Sequence, residues 1–453
     1  MWCGTSRLAE HHPRSQRRTV ARARRAVHHI VGAWCARGSI VGFPMRREVK
    51  HPGRTDGGAP DPRPDLLAPF AEAAVETLRQ LAHAFRFRED VMTEFFLPEL
   101  PRLLPVAYHP KATQIEFRSN GWVRSRLGDC FASEEDLLCY LRQRNGLYGP
   151  LTVPYADEQR ALDVADWYQY VTVIDSFASD RSALGADEAS ARDVFAEIMD
   201  DFHGDGGGRE DFPYGVAGKE LWRRISPGLS PGQIRRFAGA LEAFLRGCVT
   251  EIRFKLTERV PDYETCMTVR LESFGCDFIR LMTEYAAGVD MTGLDRLLAD
   301  VHTHCMRQMI IVNDLLSWRK EHAQGDKMTV VRVLTERGGL GLQQCVDRLH
   351  GLVDHHEKAY IVARDRMLNG PHGTRADIRA YLNGLDHLIG GSAEFEYLTP
   401  RYFGDGYVWD GSTSGWISLT APVTRFRARP NTDTDTNVES SGSRAATPCM
   451  TRS

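Results

Sequence analysis

The chain has 453 residues, of which 42% are hydrophobic and 26% are charged, with a formal net charge of -3. These values are ordinary for a globular protein and exclude a wholly disordered or fibrous chain. The mean hydropathy is -0.36, and we find no uncharged apolar run of the roughly 18 residues that a transmembrane helix needs, so we expect no stable membrane insertion.

The charge is unevenly distributed. Residues 1–54 carry twelve Lys or Arg and two Glu, a local charge of +10. This basic arm lacks the interleaved aromatic residues typical of nucleic-acid binding, so we expect no nucleic-acid partner. Turn-forming and polar segments predict a disordered extension or linker at 1–60, one folded domain at 61–425 and a disordered tail at 426–453.

The ten cysteines are scattered, with no CxxC pair and no spacing typical of a metal finger. Isolated cysteines of this kind commonly pack as small apolar side chains. We therefore predict a protein of the reduced cytoplasm, with most of its thiols in the core.

Apolar residues recur with helical spacing throughout the folded region. Ser230 and Pro231 provide an N-cap and a first-turn proline ahead of an apolar stripe that reaches Ile252. A second stripe runs from Leu294 towards Asn313 and predicts a mostly buried helix of roughly 25 to 30 residues. No alternating strand segments joined by hairpin turns compete with this pattern. We therefore predict one all-α domain, with a glycine-rich mobile loop at residues 203–211.

Three polar residues occur at intervals of four in the segment NDLLSWRKE. On a helix, Asn313, Ser317 and Glu321 are each rotated by only about 40° from the one before, so their side chains face one way. An amide, a hydroxyl and a carboxylate offer oxygen ligands for a hard cation such as Mg²⁺. Lys320 adds a positive charge near any phosphate held by that ion. The helix is otherwise apolar, so this polar stripe requires partners.

The segment NDLLSWRKE resembles the NDxxSxxKE metal motif of bacterial class I terpene synthases at every defined position. The resemblance extends from about Phe95 to Trp416, and it begins with FFLPELPRLLPVAYHP followed by Trp122. It implies an all-α fold, the class I isoprenoid synthase helical bundle. In that bundle two metal motifs face each other across the open end.

An upstream segment, DWYQYVTVIDSFASD, resembles the family's aspartate-rich motif in a degraded form. Asp175 takes the place of the first aspartate, whereas Ser176 replaces the second. Asp180 corresponds to a more distant acid that many members carry. The resemblance implies that Asp175 provides most of the metal contact, with Asp180 as a further ligand or an orienting acid.

The segment PDYETCMTVRLESFG resembles the part of the family that senses the diphosphate. It places Arg270 as the diphosphate-sensing arginine, and a guanidinium fork suits bidentate binding of phosphate oxygens. Ser273 and Phe274 fall at the helix break that opens the substrate's ionising bond, and Gly275 favours a break there.

Near the carboxyl end, EYLTPRYFGD resembles the family's Arg-Tyr pair and supplies Arg401 and Tyr402. Both side chains can donate to a phosphate oxygen. Together with Lys320 and the sensing arginine, they are implied to bind the substrate and to neutralise its leaving group.

By resemblance, the chain is a terpene cyclase, a carbon-oxygen lyase that acts on an isoprenoid diphosphate with three Mg²⁺ ions. Asp175, Arg270 and Phe274 are the implied catalytic residues. Farnesyl diphosphate is the first expectation for the substrate because fifteen carbons is the commonest case in the family, and geranylgeranyl diphosphate is the second. The quaternary state is expected to be a monomer or a homodimer.

Three alternatives stay open at this point. A chain-elongating isoprenyl diphosphate synthase shares the fold but carries two DDxxD motifs, and no second one occurs near Asn313. A non-catalytic relative that binds prenyl diphosphates is suggested by Ser176. A metal phosphohydrolase is suggested by the histidines and the aspartate of LHGLVDHHEK, although solvated histidines on a polar helix face explain that segment more simply.

Overall fold

The computed structural model describes residues 93–176, 187–203 and 212–428. Within these ranges the chain is mostly helical, which confirms the all-α prediction. The helices are α1 (Ala112–Arg126), α2 (Glu134–Arg142), α3 (Tyr148–Thr152), α4 (Glu158–Asp175), α5 (Glu188–His203), α6 (Pro213–Ile225), α7 (Pro231–Leu256), α8 (Tyr263–Ser273), α9 (Cys276–Ala287), α10 (Asp295–Gln324), α11 (Val330–Arg332), α12 (Leu342–Leu368), α13 (Ala376–Leu398) and α14 (Pro400–Phe403).

Local sequence signals explain where the long helices begin and end. Helix α7 starts with a capping box, in which Ser230 accepts from the backbone N–H of Gln233 and the Gln233 side chain accepts from the backbone N–H of Ser230. Helix α10 has 30 residues, at the upper end of the length predicted from its apolar stripe. Helices α8 and α9 are separated by Gly275, whose φ of +72° is the left-handed conformation that favours glycine.

The helices pack around one large hydrophobic core. Helix α10 packs along α12 on one side and contacts α13 and α14 on another, while α7 packs against α8 and α9. Helix α4 packs against α1, α3 and α9. The helices that carry the predicted site residues, α4, α8, α10 and α14, are therefore held in one body.

A two-stranded antiparallel sheet departs from the purely helical prediction. Strand β1 (Glu94–Leu97) pairs with β2 (Gly415–Ser418), with Phe95 opposite Ile417. Each strand has only four residues and its partner lies more than 300 residues away, so no hairpin pattern existed to reveal it. The sheet joins the start of the described region to a segment close to its end.

The predicted start of the tail at residue 426 is too early. Phe426 is buried, and its ring contacts those of Tyr397, Phe403 and Tyr407. The next residue, Arg427, forms a β-bridge with Trp416. Both residues therefore belong to the folded domain, because the Phe426 side chain completes its core and the Arg427 backbone pairs with β2.

Several predictions lie outside the described residues, namely the extension at 1–60, nearly all of the loop at 203–211 and most of the tail. Among the residues that the structure does describe, no helix combines the length and apolarity needed to cross a membrane.

Candidate active site

One cavity brings together nine of the ten residues that the sequence singled out. The tenth, Asp180, lies outside the described residues. The nine that line the cavity are Asp175, Arg270, Phe274, Asn313, Ser317, Lys320, Glu321, Arg401 and Tyr402.

Helix α10 presents its polar stripe to this cavity. The Ser317 hydroxyl lies 2.6 Å from the backbone carbonyl oxygen of Asn313 and 2.7 Å from Oε1 of Glu321. The other carboxylate oxygen of Glu321, Oε2, is buried and has no hydrogen-bond partner among the described residues. Burial and the nearby Asp314 raise the pKa of Glu321 above its ordinary value. A buried acceptor without a partner is costly, so this oxygen is suited to a bound cation.

Arg270 is held by acidic and amide groups on two helices. Its Nη2 donates to Oδ1 of Asn313 at 2.8 Å and to Oδ1 of Asp314 at 2.7 Å. Its Nη1 lies 3.4 Å from a carboxylate oxygen of Glu251, and its guanidinium lies 5.6 Å from the ring centroid of Phe274. The arginine is therefore already positioned at the end of α8, beside the helix break.

Asp314 explains why Arg270 lies where it does. Its carboxylate is fully buried, accepts from Arg270 with one oxygen and accepts from the backbone N–H of Val330 with the other, at 2.6 Å. It therefore ties α8, α10 and the start of α11 together. Sequence reasoning did not assign this residue a role, although it lies within NDLLSWRKE.

Glu251 is a second acid that sequence reasoning missed. It comes from α7, lines the cavity and accepts a hydrogen bond from the Ser273 hydroxyl. Burial, partly offset by Arg270, raises the pKa of Glu251 to about 7. The sequence feature that could have revealed Glu251 is its position between Cys248 and Ile252, two residues of the apolar stripe of α7.

Glu396 is a third acid to which the sequence assigned no role; it lines the cavity and comes from α13. The Asn313 amide nitrogen lies 3.1 Å and 3.2 Å from its two carboxylate oxygens and 3.2 Å from the Tyr402 hydroxyl. Burial raises the pKa of Glu396 to about 7. These contacts orient the Asn313 amide so that its oxygen points towards Arg270.

Arg401 connects α14 to the degraded aspartate motif at the end of α4. Its Nη2 donates to Oδ2 of Asp175 at 2.9 Å. Its Nη1 donates to the Ser176 hydroxyl at 2.9 Å and to Oε1 of Gln143 at 3.2 Å. The serine that replaces the second aspartate is therefore a partner of the arginine.

The inner part of the cavity is apolar and aromatic. Tyr148 and Tyr168 stack with ring centroids 3.7 Å apart, and Phe395 packs edge-on against both. Phe244 and Phe274 line the same space. Three other aromatic residues near the motifs are buried in the core instead: Trp167, Tyr170 and Trp318.

The chain is similar to known proteins in sequence and in fold. Residues 166–359 match the model of terpene synthase family 2, C-terminal metal binding. The chain is 25% identical over 326 residues to alpha-muurolene synthase from Coprinopsis cinerea, covering 70% of this chain and 76% of that protein. It is 24% identical over 326 residues to sesquiterpene synthase Agr3 from Cyclocybe aegerita, covering 69% and 90%.

Among solved structures, linalool/nerolidol synthase from Streptomyces clavuligerus superposes with a TM-score of 0.57 at 20% identity. The match covers 66% of this chain and all of that one, so it supports the fold. The family model spans α4 to α12, which include both predicted metal motifs and Arg270. Residues 166–359 therefore match a terpene synthase family model, and the chain is similar in sequence and in fold to proteins named as terpene synthases.

Proposed function

We propose that the protein ionises an isoprenoid diphosphate in a Mg²⁺-dependent reaction and folds the resulting allylic cation into a cyclic terpene. Farnesyl diphosphate is the first candidate substrate and geranylgeranyl diphosphate the second. The observation that carries the proposal is the composition of the cavity, which has oxygen ligands and cationic donors in one part and aromatic side chains in another.

The proposed metal ligands fit Mg²⁺ chemically. Asn313, Ser317 and Glu321 offer an amide, a hydroxyl and a carboxylate from successive turns of α10, and Asp175 adds a carboxylate from α4. The unpartnered Oε2 of Glu321 supports the same assignment. When bound, Mg²⁺ supplies positive charge that polarises the leaving group as a Lewis acid.

Arg270, Lys320, Arg401 and Tyr402 are the proposed diphosphate-binding residues. Arg270 and Arg401 are each paired with acidic or amide groups around the cavity, so their charged forks are oriented before any ligand binds. A diphosphate competes for those forks, and the donors stabilise the negative charge that grows on it as the carbon–oxygen bond breaks.

The aromatic end of the cavity is the proposed site of cyclisation. Tyr168, Phe244 and Phe274 can stabilise a carbocation through their ring faces. The apolar walls also exclude water, which would otherwise quench the cation. The relative named a sesquiterpene synthase supports a substrate of fifteen carbons.

The test is incubation of the purified protein with the C10, C15 and C20 isoprenyl diphosphates, with and without Mg²⁺. Gas chromatography of the extract and a diphosphate assay are read together. We expect a hydrocarbon or terpene alcohol product from the C15 substrate and equal diphosphate release, both abolished by EDTA and restored by excess Mg²⁺. Undiminished turnover in EDTA, or elongated diphosphates as the only products, would overturn the proposal.

A further inference from the structure

Three histidines lie together where α10 contacts α12, away from the residues that line the candidate active-site cavity. His304 lies on α10, whereas His355 and His356 are neighbours on α12. His356 is buried, His304 half-buried and His355 exposed. The ring centroid of His304 lies 6.0 Å from that of His355 and 5.2 Å from that of His356. The expectation of solvated histidines is therefore wrong for His356, because its ring packs against the facing helix.

The nitrogen atoms of this cluster are close enough to share one ion. One ligand atom from each histidine can be chosen so that all three lie within 4.8 Å of one another. Nδ1 of His304 and Nδ1 of His356 are only 2.9 Å apart, a contact that requires one nitrogen to carry a proton and the other to accept it. Two imidazole nitrogens on a tetrahedral Zn²⁺ ion are separated by about 3.3 Å, so a small side-chain rotation converts this contact into a metal bridge.

Two aspartates lie near the cluster, and one of them, Asp354, accepts a hydrogen bond from Lys358 at 2.8 Å. Asp300 precedes His304 by one helical turn, Asp354 precedes His355 directly, and both aspartates line the surface groove beside these two histidines. Asp300 is 4.0 Å from Arg366, and both side chains are about three-quarters exposed, so this ion pair is weak. Water can complete a fourth coordination position, because only the three histidines have ligand atoms within 4.8 Å of one another.

We propose that His304, His355 and His356 bind one divalent transition-metal ion of the zinc class and so cross-link α10 to α12. Three imidazoles favour such an ion over Mg²⁺, which prefers oxygen ligands. The site is separate from the polar stripe on α10, because His304 and Asn313 are nine residues and therefore about 13.5 Å apart along the helix axis. The proposal is independent of the function proposed for the cavity.

The experiment titrates the full chain, with any affinity tag removed, with Co²⁺ in the presence of excess Mg²⁺, which saturates oxygen-ligand sites. The visible absorption of tetrahedral Co²⁺ reports the coordination, and competition with Zn²⁺ gives the affinity. We expect one equivalent of Co²⁺ with an intense visible band, displaced by one equivalent of Zn²⁺. Loss of one ligand should weaken Zn²⁺ binding by at least about a hundredfold, because loss of a group that only supports a ligand already costs about ten- to a hundredfold.

The variants are chosen so that a loss of Co²⁺ binding can be distinguished from a loss of the fold. His355→Ala changes an exposed side chain and should leave far-UV circular dichroism unchanged while removing the visible band; His304→Ala should do the same. The control is His350→Ala on α12. The His350 ring contacts the Glu99 carbonyl oxygen and lies outside the cluster, so this variant should bind Co²⁺ as wild type does. Equal Co²⁺ spectra for wild type and His355→Ala, or a band lost only in Asn313→Ala, would overturn the proposal.

Discussion

Arg401 and Asp175 form an ion pair that links α14 to the end of α4, with Nη2 of the arginine 2.9 Å from Oδ2 of the carboxylate. The arginine side chain is almost fully buried, whereas that of Asp175 is about one-third exposed. The proposed metal ligand and the proposed diphosphate donor thus neutralise each other. If Asp175 holds Mg²⁺ and Arg401 binds diphosphate as proposed, ligand binding would replace this ion pair with contacts to the two ligands.

Asp175→Asn should reduce turnover by about a hundredfold or more, because it removes the carboxylate charge that is proposed to bind the metal. The matched change is Ser176→Ala, which removes one neutral acceptor from Arg401 and leaves the carboxylate in place. We expect it to cost only a few-fold in kcat. Steady-state diphosphate release measures both variants, and near-wild-type activity of Asp175→Asn would mean that the end of α4 is not part of the metal site.

Glu321→Gln should abolish turnover while leaving the metal-free fold as stable as wild type or more stable. Burial raises the pKa of this carboxyl group, so its ionised form is disfavoured in the folded state relative to the unfolded chain. At pH values above the ordinary pKa of a glutamate, the glutamine amide removes that penalty. It also removes the negative charge that is proposed to bind the metal. Thermal unfolding in EDTA and diphosphate release in Mg²⁺ measure the two effects. A large fall in Tm would show that Glu321 has a structural role instead.

His302 should make the fold sensitive to acid. Burial, together with Arg280 and Arg236, lowers its pKa from 6.5 to about 2. Arg280 contacts Nδ1, which must therefore accept, while Nε2 lies 2.9 Å from the Tyr381 hydroxyl. Below pH 6.5 the unfolded chain binds a proton at this site that the folded chain does not. Stability is therefore lost as pH falls, by up to about 1.4 kcal/mol per pH unit.

His302→Asn should consequently lose less stability than wild type between pH 7.5 and pH 5, with a difference of about 2 kcal/mol at pH 5. Urea unfolding at a series of pH values measures the slope. Tyr381→Phe removes the hydroxyl partner but keeps the imidazole, so its stability should vary with pH as in wild type. If the unfolding free energies of wild type and His302→Asn change with pH in parallel, His302 is not the source of the acid sensitivity.

Arg319 should contribute to stability rather than to the reaction. It lies in NDLLSWRKE but is almost fully buried, and it donates to the backbone carbonyls of Ser418 at 2.9 Å and Ala421 at 3.0 Å. Arg319→Met keeps much of the side-chain volume but loses these hydrogen bonds, and should cost about 3 kcal/mol of unfolding free energy. Arg366→Met, at an exposed site, should stay within about 0.5 kcal/mol of wild type in urea unfolding.

Much of the fold and part of the site are determined by local sequence. Helix α7 could be predicted from Ser230, Pro231 and the apolar stripe because capping and periodicity act over a few residues. The shared direction of Asn313, Ser317 and Glu321 follows from helix geometry alone, and all three line the cavity. The break at Gly275 follows from the conformational freedom of glycine.

Only the tertiary structure brings together groups that are distant in the sequence. Glu251 joins the cavity because α7 packs against α8, and Glu396 joins it because α13 packs against α10. No local spacing connects either residue to Asn313. The pairing of β1 with β2 and the meeting of His304 with His355 have the same origin. Helical periodicity specifies which face of a segment is apolar, whereas the partner of that face depends on how all the helices pack at once.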